Sequence, residues 1–204
     1  MKHIKNAFKH LSRVLKHKHL VFKYSCMFGI PCRGFFHDMS KFHPIEFFES
    51  VKYWDEEKSP LANAKLQKGW SDAWYHHRSR NRHHWEFWAD NFEAGVNCPI
   101  MPYKYTVEML CDWLAAGKTY HGKDFTFQDE LDWWNNYKRD RVKMHPANKE
   151  YINIMLSALA ARERDSQLKV QKFPNSEWWT LKSKEVYDRA LSIWKDYERE
   201  IVIQ

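Results

Sequence analysis

The run His37-Asp38-Met39-Ser40-Lys41 sets an imidazole beside a carboxylate, with an ammonium three residues further on. Three other places offer matching groups: His17 upstream, the pairs His76-His77 and His83-His84, and Asp112 downstream. Neutral imidazole and carboxylate together suit Zn, Fe, Mn, Co or Ni, whereas Mg or Ca prefers an all-oxygen set. If the four places converge, the chain can hold metal. On a regular helix adjacent residues point about 100° apart, so His37 and Asp38 reach one ion together only near a helix end, where Asp38 can also bridge two ions. No serine or cysteine has the spacing of a nucleophilic triad, and no Gly-rich phosphate loop is present.

These residues must be positioned by helices. From Ile4 to about Phe28, apolar residues recur at three- and four-residue steps, which predicts a helix, with a break near His17 left open. His17, Val21 and Tyr24 share one stripe of it, and Gly29-Ile30-Pro31 ends it. A short helix over Cys32 to Asp38, a turn at Lys41 to Pro44 and a helix from Pro44 follow, then a polar loop from Asp55 to Asn63. The most patterned stretch runs from Lys65 to about Ala94. Along its line Trp70, Trp74, His77, Asn81, His84, Trp88 and Phe92, two histidines and an asparagine take positions expected to be apolar. Burying such groups costs about 1–3 kcal/mol each unless they are paired or bind an ion. Further helices are expected over Thr106 to Thr119, with Asp112 bordering the apolar face, and over 127–141, 147–164 and 177–201. Strand signals are thin, so the fold class is all-α.

The chain has 204 residues, aromatic content of 17% and charged content of 29%, which suits one globular unit rather than a disordered one. No apolar run reaches the roughly 18 residues of a membrane span, and no secretory signal is evident. The basic first twenty residues match an organellar peptide in part, but His17 belongs to the metal constellation. Four cysteines without paired spacing suit reduced thiols, so a cytoplasmic location is expected. Net charge is +7 and concentrated: residues 1–44 hold nine Lys or Arg and one acid, Asp38. A solvated helix face or a phosphate-bearing ligand explains this better than a long nucleic acid.

The set His17, His37-Asp38, His77 with His84, and Asp112 resembles the HD superfamily of metal-dependent proteins. The runs His17-Lys18-x-x-Val21, His37-Asp38-x-Ser40-Lys41-Phe42 and His76-His77-x-x-x-Asn81-x-His83-His84-Trp85-Glu86 resemble more closely the DUF5662 family of uncharacterised bacterial and phage proteins. Ser40 departs from the Gly of the HD variant. The resemblance implies an HD-like helical bundle over 1–165, with a linker and an amphipathic C-terminal helix over 166–204 packed on it. It implies one or two divalent transition metal ions held by His17, His37, Asp38 and Asp112, with His77 and His84 completing a second site and His83 the rival of His84. It implies a phosphohydrolase that uses metal-activated water on a nucleotide or other small phosphate ester. Asp38, Lys41 and Glu86 would then serve the chemistry, and Lys41, Arg78 and Arg82 the phosphate; Glu46 and Glu108 are further supports. A mixed-valent di-iron oxygenase and a non-enzymatic, metal-stabilised binding protein are the alternatives, and the oligomeric state stays open.

Overall fold

The computed structural model describes residues 2–89 and 98–202. Among the described residues there are nine α-helices and no strand, so the protein is all-α. In chain order the helices are α1 (Lys2–Met27), α2 (Pro31–Phe36), α3 (Pro44–Lys52), α4 (Pro60–Lys68), α5 (Asp72–Arg80), α6 (Tyr103–His121), α7 (Phe127–Trp133), α8 (Pro146–Gln167) and α9 (Ser176–Val202). Short 3₁₀ turns span Met39–Phe42, Trp85–Trp88 and Gly122–Asp124, and a π-helical turn spans Trp134–Lys138. None of the described helices is long and apolar enough to cross a membrane.

The long helices α1 and α6 pack along one another, with α7, α8 and α9 completing the core. Val21, Phe28, Leu110, Leu114, Trp134, Tyr151, Met155, Leu159 and Trp179 are wholly buried there. Such side chains contribute on the order of 1.5–3 kcal/mol each on burial. The last helix is fastened to α1 by Phe28 against the Trp179 ring, and by the Thr180 hydroxyl, which donates to the Met27 carbonyl.

Helix α1 is unbroken at His17, and its inner face differs from the apolar periodicity. Asn6, His10, Val14, His17, Val21 and Tyr24 turn inward, while Ile4, Phe8, Leu15 and Phe22 stay exposed. Two of the stripe's polar residues face polar partners, whereas His10 packs against the Phe47 and Trp54 rings. Asn6 donates to the Val51 carbonyl, and His17 meets Asp112 on α6.

The helix expected over 65–94 is instead divided. Gly69, at φ 84°, closes α4 in the left-handed conformation that glycine adopts without penalty. Ser71 then caps α5 by accepting from the Trp74 N–H at 3.0 Å. Helix α5 ends at Arg80, where the Asn81 amide donates to the His77 carbonyl at 2.8 Å and to the Ser40 hydroxyl at 2.7 Å. Trp70 is exposed, and Phe92 and Ala94 lie outside the described residues. The heptad-like line was therefore the sum of two short helices and a turn.

Candidate metal centre

Helix α2 lies close on α1 because residue 34 is glycine: a Cβ there would come within 2.5 Å of Ser25 and 3.0 Å of the Phe22 backbone. The helix stops at Phe36, so His37 is its C-cap and Asp38 takes a left-handed conformation at φ 53°. That conformation costs a non-glycine residue about 1–2 kcal/mol, and aspartate is among those that tolerate it. It turns two consecutive side chains into one centre, as the helix-end argument requires.

Two groups of four donors meet there, alongside the smaller set His37, His83 and Glu108. His17, His37, Asp38 and Asp112 each offer an atom within 4.8 Å of the others, and so do Asp38, His77, His83 and His84. Asp38 belongs to both. Its Oδ2 lies 3.2 Å from His37 Nε2 and 2.7 Å from Lys41 Nζ, and its Oδ1 lies 3.4 Å from Nε2 of both His77 and His83. Asp112 Oδ1 lies 2.9 Å from His17 Nε2 and 3.5 Å from His37 Nε2. The rings of His17, His37, His83, His84 and His77 follow one another at centroid separations of 5.6, 4.4, 4.3 and 4.7 Å.

Behind these rings stand two carboxylates. Glu108 Oε1 accepts from His37 Nδ1 at 3.1 Å and lies 3.4 Å from His83 Nδ1; Arg33 clamps its other oxygen. Burial pushes Glu108 up, but the two histidines outweigh it and hold the carboxyl at about 2. Glu46 accepts from His76 Nδ1 at 2.6 Å and from His77 Nδ1 at 2.8 Å. A carboxylate on Nδ1 fixes the tautomer that leaves the Nε2 lone pair free for an ion.

The donor chemistry fits a cation. Nε2 of His17, His37, His83 and His84 and both oxygens of Asp38 are buried without an aligned hydrogen bond, although several lie within ion-pair distance of one another. Groups that face each other closely yet out of hydrogen-bond alignment are arranged as ligands of a common ion are. Burial and neighbouring positive groups push His17 and His84 down, keeping them neutral. Asp38 and Asp112 are held well below the usual carboxylate range: burial opposes this, and the surrounding His and Lys groups outweigh it.

The donors His17, Asp38, His77, His84 and Asp112 line a cavity of about 600 Å³, a size that accommodates a small ligand. Lys41 lines it too. Trp74, Trp113, Trp133 and Tyr120 form aromatic walls.

A profile of the family described as "Family of unknown function (DUF5662)" matches residues 6–158. The chain belongs to this family. No curated protein and no solved structure matches. The DUF5662 match takes in every donor named above, together with Glu46 and Glu108, and ends within α8.

The structure thus brings together His17, His37, Asp38, Lys41, His77, His84 and Asp112, and His83, the expected rival of His84, joins it rather than replacing it, since the end of α5 at Arg80 frees it to turn inward. Three other expected residues lie away from the cavity. Arg82 donates to the Tyr105 hydroxyl at 3.3 Å, Arg78 lies over the Tyr75 ring, and neither lines the cavity. Glu86 falls in the 3₁₀ turn after the histidine pairs, outside the donor groups and the cavity lining, and burial pushes its carboxyl up. The cavity's cationic groups are Lys41, Arg13 and Lys138. Glu130 was also missed; it stands in the stripe Phe127, Glu130, Leu131 and Trp134, the same anomaly that marked the histidines.

Proposed function

We propose that this chain is an HD-type, metal-dependent phosphohydrolase acting on a nucleotide or another small phosphate ester. The observation that carries the reading is Asp38, shared by two donor groups on the wall of a ligand-sized cavity with Lys41 against it. His17, His37, Asp38 and Asp112 would hold one divalent transition metal ion, and Asp38, His77, His83 and His84 a second. Such an ion supplies a water acidified toward neutrality and a Lewis acid for a phosphoryl oxygen.

The chain's own residues do the rest. Glu108 and Glu46 orient the ligand imidazoles through Nδ1. Lys41, its charge sustained by Asp38 and Asp112 against burial, neutralises phosphoryl oxygens in the cavity. The tryptophan walls exclude bulk water and so strengthen these charges.

A nitrogen-rich group of three histidines around one carboxylate also suits iron, which makes a di-iron oxygenase the competing reading. Elemental analysis with activity assays separates them. Mn, Co or Ni content with phosphate released from a panel of nucleotides and sugar phosphates supports the hydrolase. Two Fe per chain with oxygen uptake and no phosphate release replaces it with the oxygenase. Bound metal that raises the melting temperature without either turnover leaves a binding protein.

A further inference from the structure

Part of the cavity wall belongs to neither donor group. It comes from α7 and the π-helical turn after it, and contributes Glu130, Trp133 and Lys138. In a regular α-helix, residues five apart point about 140° away from each other. The turn Trp134–Lys138 is instead closed by the Arg139 N–H donating to the Trp134 carbonyl at 2.9 Å, an i to i+5 bond. This wider turn brings positions five apart onto one side. Trp133 and Lys138 therefore both reach the cavity, while Trp134 between them is wholly buried. Lys138 Nζ lies 5.6 Å from the ring centroids of both Trp113 and Trp133. Among the described residues it has no ion-pair partner.

Glu130 is buried at 6% exposure and, among the described residues, its carboxyl forms no hydrogen bond to the protein, although its backbone carbonyl accepts from the Trp134 N–H. Its carboxyl occupies space left by Gly117, where a Cβ would stand 2.5 Å from Glu130 Oε2 and from the Phe125 ring. Burial first, and then Asp112 and Asp129, push it up to about 8. The Lys138 ammonium lies against the Trp113 and Trp133 faces and is attracted by Glu86 and Asp112, but no ion-paired carboxylate takes up its N–H donors.

We propose that this wall is a second ligand subsite, in which Lys138 binds an anionic oxygen group where the cavity borders Trp113 and Trp133. The inference rests on the hydrolase reading for its consequence: the substrate class narrows to phosphate esters that carry a second phosphate or carboxylate besides the group that reacts at Asp38.

The test uses the 204-residue chain treated with chelator, titrated calorimetrically with inorganic phosphate and, separately, acetate. Phosphate or acetate binding should persist within about threefold in Asp38→Asn. It should weaken about 10- to 100-fold in Lys138→Met, the range set by losing a hydrogen bond to a charged group. Lys138→Arg should restore it; the anion that responds identifies the second group. Binding lost in Asp38→Asn but intact in Lys138→Met would place the anion at the donor cluster and overturn the subsite. So would no binding, or binding indifferent to Lys138. Lys138-dependent binding without phosphate release from any ester would leave the subsite standing and remove the hydrolase reading.

Discussion

His37 Nδ1 and Glu108 Oε1 lie 3.1 Å apart, with neither side chain more than 2% exposed. Glu108→Gln keeps the volume but replaces the carboxylate that holds His37 and His83 with a neutral amide. Metal affinity should fall about 10- to 100-fold, the usual effect of losing a ligand's hydrogen-bonded support. Competition against a chelator measures it. Wild-type affinity in this variant would remove Glu108 from the centre.

Because Asp38 is the one residue in both four-donor groups, Asp38→Ala should take metal content toward zero while much of the helical signal in circular dichroism remains. His77→Ala and His83→Ala should each lower it from two ions per chain toward one. Full occupancy in both histidine variants would reduce the centre to a single ion.

Gly34→Ala tests how α2 delivers the pair. Its Cβ would meet Ser25 at 2.5 Å and the Phe22 backbone at 3.0 Å, so α2 must move off α1. Overpacking of this kind costs about 1–3 kcal/mol. Urea unfolding should show that loss, accompanied by weaker metal binding, since His37 and Asp38 follow directly on α2. An unchanged midpoint would mean the two helices are not held by this contact.

Much of the centre was legible because polar residues stood where apolar ones were due. His77 and His84 interrupted a tryptophan line, and the adjacency of His37 and Asp38 demanded a helix end, which the left-handed Asp38 supplies. The helix boundaries were harder to read. Gly69 and Ser71 gave the stop and cap signals, but a continuing three- and four-residue period outweighed them, because two short helices in nearly the same phase mimic one. The exposed stripe of α1 misled for a related reason. Ile4, Phe8, Leu15 and Phe22 are as periodic as a core face, while the buried face holds His10 and His17, whose partners come from distant segments. Lys138 left no signal, since a π-turn changes which positions share a face.

Glu130 makes the stability of the fold depend on pH. Its carboxyl is raised from 4.5 to about 8, by burial and then by Asp112 and Asp129. Between those values the unfolded chain has released the proton and the folded chain retains it, so stability falls as pH rises from about 4.5 to 8. At about 1.4 kcal/mol per unit the upper bound is a few kcal/mol. Glu130→Gln abolishes this titration, so its stability advantage over wild type should grow across that window and level off above it. Asp112 and His121 on α6, Asp129 on α7, Tyr24 on α1, Glu163 on α8 and Lys138 are present in both proteins, and the difference between their curves isolates Glu130. Urea unfolding at half-unit pH steps measures it. A difference that stays constant from pH 5 to 8 would show that the carboxyl is ionised in the folded protein.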